Sequence, residues 1–162
     1  MAERLAKILL IGAIAVFFSI VLYNNFTDYS TNFAFVQHVL AMDTIFPTSS
    51  LRWRAITHPI LQHAFFWTII VWESITVGCC WFGIFQLSQA IRADAPQFNA
   101  AKSIAILGLT ASCLLWLMAF LVVGGEWFAM WQSPIWNGQP IASRMVIISL
   151  LILIFVRQPE FE

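Results

Sequence analysis

The 162 residues carry eight basic and eight acidic side chains, for a net charge of zero, and 60% of them are hydrophobic against 10% charged. Soluble domains are roughly 45–50% apolar and roughly 25% charged, so polar side chains are too few here to cover a water-facing surface, and lipid is the natural home of the apolar surplus. Balanced charge also gives no basic field for nucleic acid or another polyanion.

In chain order, Arg4 and Lys7 introduce a first apolar run over about residues 6–23, long enough to cross a bilayer. A basic start and an apolar centre resemble a secretory signal. The residues that follow, Asn24-Asn25-Phe26-Thr27-Asp28, contain no small-x-small cleavage pattern, so an uncleaved span is expected, with Lys7 snorkelling to the interface. Asn25-Phe26-Thr27 also forms a glycosylation sequon, a weak signal that matters only in a secretory eukaryotic setting.

An interfacial cap is predicted over about residues 30–58. Phe33, Val36, Val39 and Leu40 recur at helical spacing, with Ser30 or Thr31 available as a cap, and Asp43 and Pro47 end the pattern. A second short helix is expected over 51–57. There Arg52 and Arg54 flank Trp53, a combination suited to the water–lipid boundary.

Pro59 fits the first position of the next helix, where its missing N–H needs no partner. The apolar run from there, about residues 60–89, makes a second span of about 45 Å, longer than the roughly 30 Å hydrocarbon core. It must tilt or project beyond the lipid. After a short polar link holding Pro96, a third span is predicted over about residues 102–123, with Gly124-Gly125 ending or bending it before Glu126. The loop beyond holds Trp127, Trp131 and Trp136 with Asn137 and Gln139, as an interfacial aromatic belt does. The fourth span is placed over about residues 141–157. The predicted architecture is therefore an all-α membrane protein: a single unit of four transmembrane helices, with short interfacial helices between the first and second.

An even number of spans puts both termini on one side. That side collects Arg4, Lys7, Arg92, Lys102 and Arg157, against Arg52, Arg54 and Arg144 on the other, which favours cytoplasmic termini. Cys79, Cys80 and Cys113 lie in apolar runs without metal or redox spacing and read as small buried hydrophobes. Gly78, Gly83 and Gly108 permit close helix packing.

Glu73 is the most informative residue. A carboxylate within a span is costly, so it must meet protein, water or a cation, or stay protonated. A clamp between helices is the favoured reading, ahead of a proton or ion relay or a hydrogen bond to a quinone. Arg144, about one turn inside the fourth span, is the expected partner, with Glu126 competing for it. His38 and His63 could ligate a haem only near the outer surface; hydrogen bonding within the cap is the expected role. No P-loop, H-E-x-x-H motif, nucleophile elbow or cofactor fingerprint is present, and no metal site is expected.

Several strings resemble those of a known family: NFAFVQHVLAMDT from Asn32 to Thr44, Trp53-Arg54-Ala55-Ile56, Trp72-Glu73, and GGEWFAMWQSPIWNGQ from Gly124 to Gln139. The family is that of predicted small bacterial integral membrane proteins catalogued as domain of unknown function 2165. The resemblance implies a four-span bacterial inner-membrane protein and brings no activity with it. Glu73, Glu126, Trp127, Trp131, Trp136, Asn137, Gln139 and Arg144 match its characteristic positions, with no role attached to any.

The expected function is a non-enzymatic accessory or assembly subunit of a larger, bioenergetic membrane complex, with the bilayer and other membrane subunits as partners. The alternatives are a small oligomeric transporter or channel with Glu73 in its pathway, and a quinone- or haem-binding redox subunit. No cofactor is expected beyond bound lipid; quinone and haem belong to the less favoured readings.

Overall fold

The computed structural model describes residues 1–161, and among them every regular element is helical. Helix α1 runs Ala2–Thr27, α2 Tyr29–Ala41, α3 Pro59–Gln89, α4 Ala95–Ala101, α5 Ser103–Leu114 and α6 Gln139–Arg157. Beyond α5 the same rod continues through Leu115–Trp127 with π-helical hydrogen bonding, ending where the Phe128 N–H reaches Val123 O. Four rods are long and apolar enough to cross a bilayer: Ala2–Thr27, Pro59–Gln89, Ala95–Trp127 and Gln139–Arg157.

Four spans form, as the sequence leads one to expect, but their bounds differ: the third begins at Ala95, inside the expected polar link, where Asp94 caps the helix by accepting from the Gln97 N–H. α1 does not stop at Tyr23. Thr27 bonds back to Tyr23 O and the Asn25 amide finds a partner on α3, so these polar residues stay inside the helix. α2 starts with Asp28 rather than Ser30 or Thr31 at its N-cap, without a side-chain cap bond. The corner is tied instead by Asn32, whose amide donates to Asn24 O and Asp28 O. Of the helix expected over 51–57, only the 3₁₀ turn Arg52–Arg54 forms. His58 precedes a proline, which disfavours helical backbone there, and the Ile56 N–H is drawn to Leu40 O. Gly124 and Gly125 neither end nor break the third span; both are buried inside its π-helical stretch.

Both termini lie at one end of the bundle, because Arg4 bonds to Ile91 O and Lys7 to Gln158 O. Two apolar cores result. The larger runs between the spans and includes Ile11, Phe18, Cys80, Leu109 and Val156. The second lies at the opposite, cap end, where Val36, Val39 and Leu40 of α2 meet Phe66 and Ile70 of α3 and Phe128 to Met130. The cap is therefore packed onto the first turns of α3, which project past the end of α1. Met42 and Ala129 take left-handed backbone at φ 51 and 52 and turn the chain out of α2 and the third span.

α3 and α5 approach closely where glycine removes a side chain from each. A Cβ on Gly83 meets the Ala105 backbone at 2.7 Å, and one on Gly108 meets Cys80 Sγ at 2.7 Å. Gly83→Leu is expected to lower the stability measured by thermal melts in detergent by about 1–3 kcal/mol, the usual range for overpacking; an unchanged melt contradicts the close crossing.

Candidate functional site

α3 turns one face of Phe66, Ile70, Glu73, Thr76 and Cys80 inward. Thr76 returns its hydroxyl to Trp72 O, and Glu73 is left as the acid on that face. It is 5% exposed, and Asn25, 7% exposed, donates Nδ2 to its Oε2 at 2.7 Å. Glu73 is near the middle of α3 but not of the bundle. Because α3 overshoots α1 at the cap end, Glu73 stands level with the last turn of α1, about 24 Å along its own helix from Gln89.

The expected ion pairs do not form. Arg144 and Glu126 are both exposed, and neither bonds to Glu73 or to the other among the described residues. Glu73 is answered by a neutral amide instead. Asn25 was legible only as part of a sequon, and its burial against a carboxylate removes it from the surface a glycan needs.

A cavity of about 230 Å³ adjoins this pair, lined by Asn25, Asn32, Glu73, Phe66, Trp116 and Phe120 among others. A second, of about 200 Å³, lies between α2, α3 and the π-helical stretch, with Val39, Leu40, Leu115 and Val123 in its wall. The two share Phe35, Val36, Ile69 and Phe120. Both lie where the third span changes from α to π hydrogen bonding, a departure from regular helix that often accompanies function.

The remaining candidates are distributed around the cap. His38 pairs with Asp43 at 2.6 Å and stacks on Trp136 at 4.6 Å. His63 takes a hydrogen bond with the Tyr29 hydroxyl at 2.8 Å and stacks on Phe33 at 4.0 Å. Each histidine has its own partners within the cap. Trp127 meets Trp53 edge to face, and the Arg54 guanidinium lies over it at 4.5 Å while donating to its carbonyl. Trp131 packs edge-on to Phe46. Asn137 accepts from the Gln139 N–H, and the Gln139 amide lies against Gly125. These contacts make the tryptophan loop a lid knitted to the cap.

At the terminal end, sequence reasoning missed a charged knot. Lys7 does not snorkel: it is 0% exposed, paired with Glu3 and Glu160 and donating to Gln158 O. Lys102 also donates to Gln158 O, at 2.7 Å, and to Asn99 Oδ1 at 2.8 Å. Arg4 reaches Glu160 at 3.5 Å and caps Ile91 and Ala93 carbonyls. The tail after α6 thus returns Glu160 to three cations from two other rods. Burial alone favours the neutral Glu160 carboxyl, but the hydrogen bond from Lys7 and the charges of Lys7, Lys102 and Arg4 outweigh it and hold the group below its ordinary 4.5.

A carboxyl lowered in the folded state adds stability above its unfolded pKa, and loses it as pH falls through the folded value. The wild-type melting temperature should therefore drop on acidification from pH 4.5 downward. Glu160→Gln should melt lower at neutral pH and lose most of that acid-side slope. An identical pH profile in both proteins contradicts the knot.

Residues 3–159 match the model of a family described as "Predicted small integral membrane protein (DUF2165)". No curated protein and no solved structure matches the chain.

Proposed function

Since the chain belongs to the family of predicted small integral membrane proteins (DUF2165), we propose that this multi-pass membrane protein is a non-enzymatic accessory or assembly subunit of a larger, bioenergetic membrane complex. Its place in this reading is a bacterial inner membrane, with both termini cytoplasmic. Five cations, Arg4, Lys7, Arg92, Lys102 and Arg157, belong to the terminal end of the bundle and three to the cap end, which favours that orientation.

The observation that carries the reading is Arg144. α6 is the least covered span, with 17% of its apolar window buried inside the bundle. Its open face presents Ile141, Arg144, Ile147, Leu151 and Ile154. The buried charges Lys7, Lys102 and Glu73 are answered internally, the lysines by the tail and Glu73 by Asn25. Arg144 stands about one turn inside its span, exposed and without an acidic partner among the described residues. A cation held there costs free energy unless an acid on a neighbouring helix or a phosphate at the boundary meets it. An apolar stripe with one cation is the surface expected of a helix that seats against another subunit through an ion pair.

Native gels of mild-detergent extracts test this. The wild type should migrate in a large complex containing other membrane subunits. Arg144→Leu should leave that complex while its own melt changes by no more than about 0.5 kcal/mol, as for a residue without internal contacts. Wild-type protein that runs only with copies of itself contradicts the accessory role.

A further inference from the structure

Asn25 meets one oxygen of Glu73 and brings no countercharge. Oε2 accepts from Asn25 Nδ2, while Oε1 has no hydrogen-bond partner among the described residues. The side chain is 5% exposed and lines the cavity of about 230 Å³ enclosed by α1, α2, α3, the π-helical stretch and the start of α6. Among the described residues, the buried side-chain atoms that are both unpartnered and shut off by their neighbours are Arg54 Nε and Trp116 Nε1. Glu73 Oε1 is not one of them, so it keeps open surface, and the space beside it is this cavity.

The other polar side chains of the lining add acceptors. Asn25 spends Nδ2 on Glu73, and Asn32 spends Nδ2 on the carbonyls of Asn24 and Asp28. The Oδ1 atoms of both are unpartnered among the described residues and are not shut off. The indole N–H of Trp116, the unspent side-chain donor in the wall, is shut off, and no Lys, Arg or His lines the cavity. The lining thus offers three unspent acceptors, one of them a carboxylate, with neither an open donor nor a cation to match them.

We propose that this cavity binds the primary ammonium head of a membrane amphiphile, as presented by a long-chain amine or by the ethanolamine headgroup of a lipid. An ammonium carries three N–H donors and no acceptor, which complements a lining that accepts and does not donate. It also supplies the countercharge that Asn25 lacks, through a hydrogen bond strengthened by charge on both sides. A hydroxyl head brings a lone pair for which no open donor exists, and no charge. An anionic head would meet Glu73 with like charge. A hard metal ion wants roughly six oxygens around it, more than these side chains hold.

The remaining walls suit an organic cation. Phe35, Phe66, Trp116 and Phe120 line the cavity, with the Trp116 and Phe120 centroids 4.7 Å apart, and aromatic rings attract ammonium groups through their quadrupoles. The lipid side is thinly covered, because Ile141 of α6 is exposed and Val21 of α1 is half-buried. Glu73 is level with the last turn of α1, so the head of an amphiphile reaches it without crossing the hydrocarbon.

The test is equilibrium binding of decylammonium to the full chain in phosphatidylcholine nanodiscs, with decyltrimethylammonium and decanol as matched probes. The first control keeps the charge without N–H donors, and the second keeps a donor without the charge. Saturable binding is expected for decylammonium, well ahead of both. Glu73→Gln retains an acceptor for Asn25 and loses the carboxylate, and should weaken decylammonium binding about ten- to hundredfold, the worth of a hydrogen bond to a charged group. A thermal melt establishes that the variant folds, and the ranking of the three probes on the wild type decides the matter by itself if it does not. Adding phosphatidylethanolamine to the nanodiscs separates the two sources, both consistent with the proposal: competition identifies the lipid headgroup, and unchanged binding a free amine. No saturable binding of decylammonium, equal binding of either control, or undiminished binding to folded Glu73→Gln each overturns the proposal.

Discussion

Hydrocarbon offers no water to a polar group, so any polar side chain within the spans must be answered by the chain itself, by a bound molecule or by a neighbouring subunit. That constraint organises the whole molecule. At the terminal end, Glu160 draws Arg4, Lys7 and Lys102 together, and α1, the third span and the tail of α6 are fastened at one point. At the cap end, Asn25 and Glu73 join α1 to α3. Between these two ties, Ser112 and Ser149 share a hydrogen bond of 2.7 Å and Trp72 donates to Ala111 O. The rest of the contact is apolar packing with small residues at the closest crossing, the usual basis of helix association in lipid.

The same constraint makes the exceptions informative. Trp116 Nε1 and Arg144 are polar groups at membrane depth that the described residues leave unanswered. They differ in place. Trp116 is enclosed within the bundle, whereas Arg144 faces outward from α6, where a second helix or a headgroup can answer it. The outward exception leads to a partner.

The four spans were legible because their signal is additive: long apolar runs with mean hydropathy between 1.6 and 2.6 need no tertiary information. Pro59 marked the start of α3, and Glu73 stood out as the acid within an apolar run. Its partner could not be read the same way. Asn25 and Glu73 lie 48 residues apart, and their meeting depends on how far α3 overshoots α1. Position along α3 alone marks Glu73 as a carboxylate within a span and points to Arg144. Lys7 was misjudged for a similar reason. Snorkelling is the default for a lysine near a span end, and only the fold shows Glu160 returning from a tail 153 residues away. The π-helical hydrogen bonding of Leu115–Trp127, which frames both cavities, has no signature in composition or periodicity that distinguishes it from an α-helix.

The central claim is that Glu73 holds the cap end of the bundle through Asn25. A double-mutant cycle of Glu73→Leu and Asn25→Ala, melted in the same lipid or detergent, measures it directly. The account predicts that the double variant loses less than the two single losses combined, by about 0.5–1.5 kcal/mol. Losses that add would show that the two side chains do not act on each other, and would contradict the account.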